Sequence, residues 1–247
     1  MKHLRVVLIL IVLLLGIAGA AIFTANAGAP ARGNALTPRI YLPLVARSGS
    51  TPIPGTWITV LEEGFEAAPS PLWQFRDDNG AIGGAYQWGR RDCQPFAGTY
   101  SAWAVGGGAD GETLACGSAY PDNVQTTMIY GPFSLAEAKM AQVRFKLRYD
   151  QMLDGTFSWG ASADGAVFRG TSLYGQPSEW TTLDLNLGDL DPFDPGVSVL
   201  GKPQVWVAFQ FTSGATVHTS SGPFVDDVLI RKCLDTLCPP LSAAAPR

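Results

Sequence analysis

The segment Gly222-Pro223-Phe224-Val225-Asp226-Asp227-Val228-Leu229-Ile230 places two adjacent carboxylates in a run of apolar and β-branched residues. Far upstream, Glu63-Gly64-Phe65-Glu66 places two more carboxylates beside a phenylalanine. Apolar runs of this composition are typical of strands. Acidic groups at both ends of one all-β region indicate that the first and last strands lie together, where a hard cation would neutralise charges that otherwise repel.

Between these two segments the sequence predicts strands throughout. Ten runs show period-2 alternation or enrichment in β-branched and aromatic residues: Trp57–Phe65, Ala85–Gly89, Thr99–Val105, Gln125–Phe133, Gln142–Tyr149, Thr156–Ala161, Val167–Leu173, Trp180–Leu187, Gln204–Thr212 and Phe224–Arg231. Clusters of Gly, Pro, Asp and Asn separate them at the spacing of a sandwich. The sequence shows no long helix and no internal repeat, which argues against α/β folds. We therefore predict an all-β fold, a two-sheet antiparallel jelly-roll β-sandwich.

The N-terminus has the pattern of an export signal. Lys2 and Arg5 precede an uninterrupted apolar run, Val6–Phe23, and Ala25-Asn26-Ala27 then supplies the small-x-small pattern of a signal-peptidase site. We predict that residues 1–27 are a signal peptide. The apolar run is also long enough to span a bilayer, so an uncleaved N-terminal anchor is the alternative.

The rest of the chain divides into three parts. Residues 28–55 are rich in Ala, Pro, Gly, Ser and Arg and are predicted to be a flexible linker. Residues 56–233 contain the strand pattern and form the predicted jelly-roll domain. Residues 234–247 are rich in Pro and Ala, which predicts a disordered tail.

The composition and net charge of the chain limit the classes of partner that it is expected to bind. The chain has 247 residues, a formal net charge of −4, 47% hydrophobic residues and 15% charged residues, which is enough apolar material for one sizeable core. A mildly acidic chain disfavours nucleic acid and anionic membranes as partners. Contact with a membrane is expected only if the N-terminal segment is not cleaved.

The four cysteines fit an exported protein. Cys93, Cys116, Cys233 and Cys238 are even in number and match no zinc-binding spacing, and disulfides persist in oxidising compartments. Four cysteines allow three connectivities. Pairing Cys93 with Cys116 and Cys233 with Cys238 is the simplest, because each bond closes a short loop.

The order of motifs resembles the MAM-like jelly-roll domain that accompanies bacterial metallopeptidases of the immune inhibitor A type and occurs in many exported bacterial proteins. The resemblance covers Leu61 to about Lys232 and rests on these motifs: Glu63-Gly64-Phe65-Glu66, Trp73, Trp88, Gly98-Thr99-Tyr100-Ser101-Ala102, Tyr120-Pro121-Asp122-Asn123, Gly131-Pro132-Phe133-Ser134-Leu135, Ser162-Ala163-Asp164-Gly165, Trp180, Leu183-Asp184-Leu185 and Phe224-Val225-Asp226-Asp227-Val228.

The resemblance implies a two-sheet jelly roll that is an accessory to another activity, with a structural Ca²⁺ ion between its first and last strands. It assigns Glu66 and Asp226 as metal ligands, with Asp227 as a neighbour that serves instead. Calcium takes six to eight oxygen ligands, so backbone carbonyls and water would complete the shell. The alternative is that Asp226 and Asp227 bind backbone N–H groups and Glu66 faces solvent.

The sequence does not predict an enzyme. It contains no His-Glu-x-x-His, so the peptidase of the resembled family is missing. Glu62 and Glu66 lie on one face of a predicted strand and could form the carboxylate pair of a glycosidase. Three acids usually alternate on the catalytic strand of related glycosidases, and Gly64 stands where the middle one would be, so catalysis is the weakest hypothesis.

Seven tryptophans raise the question of sugar binding. Trp57, Trp159 and Trp206 alternate with apolar neighbours in predicted strands and are expected in the core. Four others stand near predicted turns, where a ring could stack on a sugar: Trp73, Trp88, Trp103 and Trp180. Trp88 and Trp180 are the ligand-binding candidates.

The sequence thus predicts an exported, non-catalytic module, secreted or on the cell surface, that acts in adhesion or accessory binding. Its expected partner is a glycan or a protein at the cell surface. The alternative function is a carbohydrate-binding module that uses the loop tryptophans.

Overall fold

The computed structural model describes the backbone of residues 19–24, and residues 55–80, 82–149, 154–175, 178–191, 193–215, 219–236 and 238–239 in full. Its elements, in chain order, are β1 Gly19–Thr24, β2 Trp57–Glu63, β3 Trp73–Asp77, β4 Gln87–Arg91, β5 Ser101–Gly107, α1 Gly108–Gly111, β6 Gln125–Phe133, β7 Met140–Tyr149, β8 Thr156–Ser162, β9 Val167–Leu173, β10 Thr181–Asn186, β11 Val205–Thr212 and β12 Pro223–Cys233.

Two antiparallel sheets face each other. The first has the order β1-β9-β8-β11-β6-β3, and the second has the order β10-β7-β12-β5-β4, with β2 also paired to β12. The described part of the chain contains only one helical turn, α1. The predicted all-β, two-sheet sandwich is therefore confirmed.

Aromatic rings fill the space between the sheets. Alternation in each strand turns one set of side chains inward, as in β7, where every second residue from Ala141 to Tyr149 is buried. Phe145 and Phe209 pack edge-to-face across the core, with ring centroids 4.9 Å apart, and Trp88 and Phe157 do the same at 6.2 Å. Such pairs stabilise beyond the area they bury.

The last strand organises the second sheet. Along one side β12 pairs with β7, and along the other side it pairs first with β5 and then with β2. Leu61 lies opposite Ile230 in the β2–β12 ladder. The predicted contact between the first and last strands of the domain is confirmed.

Two disulfides fix loops on the second sheet. The structure joins Cys93 to Cys116 and Cys233 to Cys238, which is the pairing that closes the shortest loops. The second bond joins Cys238, which lies in the predicted tail, to Cys233 at the end of β12. Residues 240–247 lie outside the described residues.

The N-terminal predictions fall mainly outside the described residues, since almost all of 1–54 is not described. Gly19–Thr24, inside the predicted signal peptide, forms strand β1 on the edge of β9. Within the described ranges, we find no helix long and apolar enough to cross a membrane.

Candidate functional site

The outer face of the second sheet carries a row of polar side chains. In β7 the residues between the buried ones point away from the core, and these are Gln142, Arg144, Lys146 and Arg148. Successive members of the row are two residues apart, so they are spaced by about 7 Å along the strand. On the neighbouring strand β10, Thr182, Asp184 and Asn186 lie opposite Lys146, Arg144 and Gln142, respectively.

A groove of about 520 Å³ opens on this face. Trp57 at the start of β2 borders it on one side, and the loop that follows β10 borders it on the other. The residues that line it are Trp57, Lys139, Met140, Ala141, Gln142, Arg144, Asp184, Leu185, Asn186, Gly188 and Leu200. We call it the Trp57 groove.

A hydrogen-bonded fork forms the polar floor of the groove. The guanidinium of Arg144 donates through Nε to Oδ1 of Asp184 at 2.7 Å and through Nη2 to Oδ2 at 3.1 Å. The Gln142 amide donates to the same Oδ1 at 3.2 Å. A bidentate ion pair of this kind fixes both side chains, because each has two bonds that a single rotation would break.

Trp57 is held as the aromatic wall of the groove. Its indole Nε1 donates to the carbonyl oxygen of Pro239 at 2.9 Å, and the Arg231 guanidinium lies 4.9 Å from its ring centroid. Pro239 is held in turn, because the adjacent Cys238 is bonded to Cys233. The second disulfide therefore acts on the groove as well as on the end of β12.

A second aromatic group lies farther along the same face. Phe96 is 41% exposed and packs edge-to-face on Trp180, with the ring centroids 5.9 Å apart. Lys146 Nζ lies 4.0 Å from the Phe96 centroid and donates to Thr182 Oγ1 at 2.8 Å. Trp180, one of the two tryptophans that the sequence singles out, is thus on the side that carries the groove.

Trp88 does not fit its predicted role as a ligand-binding residue. It is 2% exposed, and its Nε1 faces the Thr126 carbonyl oxygen at 3.4 Å inside the sandwich. Trp73 and Trp103, which also stand near predicted turns, are buried in the same core. Conversely, the prediction of Trp57 as a core residue is wrong, because its ring lies on the outer face.

Two of the predicted calcium ligands, Asp226 and Glu66, accept hydrogen bonds from the same loop but from different residues of it. Asp226 is fully buried, and its Oδ2 accepts hydrogen bonds from the backbone N–H of Phe96 at 2.8 Å and of Ala97 at 3.3 Å. Glu66 Oε1 accepts hydrogen bonds from the N–H of Thr99 and of Tyr100, both at 2.9 Å. No three acidic, His or Cys side chains of the described residues form a group able to hold a metal.

The space in front of Gly64 is a candidate cation site that involves Asp226 and Asp227 but not Glu66. A Cβ atom on Gly64 would lie 3.5 Å from Asp227 Oδ1 and 4.0 Å from Asp226 Oδ1, so two carboxylate oxygens flank this space. Burial raises the pKa of Asp226 to about 6, and the nearby charge of Asp227 also raises it. The oxygen chemistry of Asp226 and Asp227 suits Ca²⁺, whereas Glu66 is turned toward the Thr99 and Tyr100 amides.

The predicted glycosidase pair does not have the electrostatics of a catalytic site. Hydrogen bonds from the Tyr100 and Thr99 amides lower the pKa of Glu66, whose side chain is exposed. A general acid in a glycosidase needs a raised pKa. Glu62 is exposed on β2, and neither carboxylate lines the Trp57 groove.

Gln142, Arg144 and Asp184 are not among the ligand-binding residues that the sequence predicts. Their period-2 alternation with apolar residues predicts a strand with a polar outer face, but such a face is normally only a solvated surface. The register that sets Arg144 opposite Asp184 comes from the pairing of β7 with β10, which alternation within one strand does not specify.

No protein family and no curated protein matches the chain. Among solved structures, it is similar to the K3 cleaved adhesin domain of Lys-gingipain from Porphyromonas gingivalis, at 16% identity and a TM-score of 0.46 over 71% of this chain and 99% of that one. It is also similar to a family 61 carbohydrate-binding module in complex with β-1,4-galactotriose, at 12% identity and a TM-score of 0.43 over 69% and 94% of the two chains.

A third similar structure is the family 11 carbohydrate-binding module of a cellulosomal cellulase of Clostridium thermocellum, at 11% identity and a TM-score of 0.40 over 71% and 94% of the two chains. At these identities and scores, the similarity does not indicate what this chain binds.

Proposed function

We propose that this chain is an exported, non-catalytic carbohydrate-binding module and that the Trp57 groove is its binding site. The observation that carries the proposal is one open groove that joins a half-buried aromatic ring, Trp57, to a fixed set of polar groups. Ligand sites in proteins combine apolar or aromatic walls with a few well-placed polar side chains. A pyranose ring offers both matching surfaces, with C–H groups that pack on an aromatic face and hydroxyls that donate and accept hydrogen bonds.

The polar groups of the groove suit hydroxyl recognition. Asp184 accepts hydrogen bonds, Arg144 donates them, and the Gln142 and Asn186 amides do both. Because the fork of Arg144 and Asp184 is already held in one geometry, a ligand would not have to order these side chains on binding.

The side chains that line the groove suit a binding site better than a hydrolytic site. Glycoside hydrolysis by the two-carboxylate mechanism needs a pair of carboxyl groups on either side of the bond that is cleaved. The described residues that line the groove include one carboxylate, Asp184, and it is paired with a guanidinium. The two disulfides are typical of an extracellular domain, which agrees with a ligand outside the cell.

Affinity electrophoresis and calorimetry against a panel of plant, algal and bacterial polysaccharides would test the proposal. We expect binding to at least one polymer, lost in Trp57→Ala and retained in Tyr174→Ala, which removes a 69% exposed ring elsewhere. Binding that survives Trp57→Ala unchanged would contradict the proposal. Release of reducing sugar that disappears in Asp184→Asn would show an enzyme instead.

We also propose that Ca²⁺ binds beside Gly64, with Asp226 and Asp227 as its side-chain ligands. The support is the flanking of this space by two carboxylate oxygens and the burial of Asp226. The ion would neutralise adjacent negative charges and would stabilise the folded chain only, since the burial of Asp226 and the position of both carboxylates beside Gly64 exist only in the folded chain. Its role would be structural.

A further inference from the structure

The outer face of the second sheet concentrates positive charge on a chain that is acidic as a whole. Arg144, Lys146 and Arg148 occupy successive outward positions of β7, and Arg231 lies on the adjacent strand opposite Gln142. Lys139 is exposed at the end of the same groove. The chain carries a formal net charge of −4, so this face has the opposite sign to the average surface.

Apart from Arg144, the cations of this face have no acidic partner within ion-pair distance among the described residues. Asp184 is bonded to Arg144, and this is the one ion pair within 4.0 Å that the described part of the chain contains. Glu62 lies opposite Leu229, which lies opposite Arg144, so Glu62 is two strands or about 10 Å from Arg144. Asp226 is buried beneath the loop at Phe96 and binds its backbone amides.

Arg231 is the least satisfied cation of the face. Its Nε atom is buried, and no hydrogen-bond partner is present for it among the described residues. Burial and the nearby charge of Arg144 lower its pKa, while Asp184 raises it. A cation that is partly removed from water without a full set of partners is costly, and an anion beside it would offset that cost.

Arg231 lies beside the Trp57 groove, although it is not among the residues that line it. Its guanidinium is over the Trp57 ring, which forms the wall of the groove. An acidic group carried on a sugar ring that packs on Trp57 would come within reach of it. Lys146 has the same relation to Phe96 at the other aromatic group of this face, with its Nζ 4.0 Å from the ring centroid. Both aromatic groups of this face, Trp57 and Phe96, thus lie beside a cation.

Resting on the proposed function, we infer that the ligand is an anionic polysaccharide that carries carboxylate or sulfate groups. Arg231 and Lys146 would bind the acidic groups, while Trp57 and Phe96 would pack on the sugar rings. Lys146 and Arg148 on β7 and Arg231 on β12 have no ion-pair partner among the described residues, and such repeated cations match a polymer with repeated charges better than a ligand with a single charge. Guanidinium groups are especially suited to planar, bidentate recognition of carboxylates.

Matched pairs of polymers would test the inference. The first pair is polygalacturonate and its methyl ester, in which esterification removes the carboxylate charge, and the second pair is dextran sulfate and dextran. Binding would be measured by calorimetry at 0.1 M and 1 M NaCl, where the Debye length falls from about 10 Å to about 3 Å. The variants are Arg231→Met and Lys146→Met, which keep an unbranched apolar stem, with Arg169→Met on the opposite sheet as the control.

We expect binding to the acidic member of at least one pair, with no detectable binding to its neutral member. Which pair responds identifies the carboxylate or the sulfate as the recognised group. The affinity should fall about tenfold or more in Arg231→Met, since a hydrogen bond to a charged group contributes about 1.5–3 kcal/mol. It should also fall at high salt and be unchanged in Arg169→Met.

Two results would overturn the inference while leaving the proposed function in place. One is Trp57-dependent binding that is equal for the acidic and neutral members and insensitive to salt. The other is binding of acidic polymers that falls equally in Arg231→Met and Arg169→Met, which would indicate general surface charge. If no polymer of either pair and none of the wider panel binds, the proposed function itself fails.

Discussion

The buried carboxylate of Asp226 makes the stability of this domain depend on pH in an unusual direction. Burial raises its pKa from the ordinary value of 3.8 to about 6, and hydrogen bonds from the backbone of Asp227, Phe96 and Ala97 limit the rise. The folded chain therefore keeps a proton between pH 4 and 6 that the unfolded chain releases. The free energy of unfolding should fall as the pH rises through this window.

The expected change follows from the size of the pKa shift. A difference of about two pKa units, at about 1.36 kcal/mol per unit, corresponds to about 3 kcal/mol between pH 4 and pH 7. In a domain of roughly 180 residues, 1 kcal/mol shifts the melting temperature by about 2–4 °C. Asp226 alone should therefore make the melting temperature several degrees higher at pH 4 than at pH 7, without added calcium.

Urea denaturation of the wild type and of Asp226→Asn, from pH 4 to pH 7, would measure the effect. Asn has no ionisable group, so the variant should lose this slope whatever its absolute stability. Asp164→Asn is the matched control, because hydrogen bonds from Ser162 and from the Val167 and Ala166 amides lower the pKa of Asp164 to about 2. Its stability contribution is present above pH 4 and is lost only as the pH falls toward 2. If the free energy of unfolding changed equally with pH in the wild type and in Asp226→Asn, Asp226 would not be the cause of the pH dependence.

Three further predictions concern other parts of the structure. With Ca²⁺ at one hundred times its dissociation constant, the domain should gain about 2.7 kcal/mol at pH 7, and Gly64→Ala should fold normally but lose the response to a chelator; an equal response in this variant would contradict the proposed site. Replacing Cys233 and Cys238 by Ser should lower the free energy of unfolding by about 2 kcal/mol. It should also weaken ligand binding, because the contact between Trp57 and Pro239 is loosened. Unchanged binding in calorimetry would show that the disulfide does not position the groove. Trp88→Ala should cost about 3–5 kcal/mol in urea denaturation, and a loss below 1 kcal/mol would place its ring outside the core.

Strand composition predicted the fold because a strand with one face in the core and one in solvent alternates apolar and polar residues along the sequence. The run Val167–Leu173 has the same bounds in the sequence prediction and in the structure, and Gln125–Phe133 does as well. β3 was missed although Trp73–Asp77 alternates apolar and polar residues, because the strand has only five residues and follows a proline-rich turn. The pairing of β2 with β12 was predicted from the acids at the two ends of the domain.

The candidate site could be predicted only in part, because its members come together through pairing between strands. Trp57 alternates with apolar residues as a core residue would, yet the opposite Cys233 lies on the outer side and the ring follows it. Trp88 stands near turns in the sequence, but β4 turns its ring inward. The position of a residue along one strand does not determine which side of the sheet it faces. The side that it faces determines whether its ring lies in the core or is able to contact a ligand.

The central claim is that a glycan binds in the Trp57 groove. Two-dimensional ¹H–¹⁵N NMR during titration with an oligosaccharide of the polymer that binds would test it most directly. We expect shifts of the Trp57 indole N–H and the Gln142 side-chain amide, together with the backbone amides of β7 and β10. Shifts confined to the opposite sheet, for example around Tyr174, with the Trp57 and Gln142 signals unchanged, would contradict it.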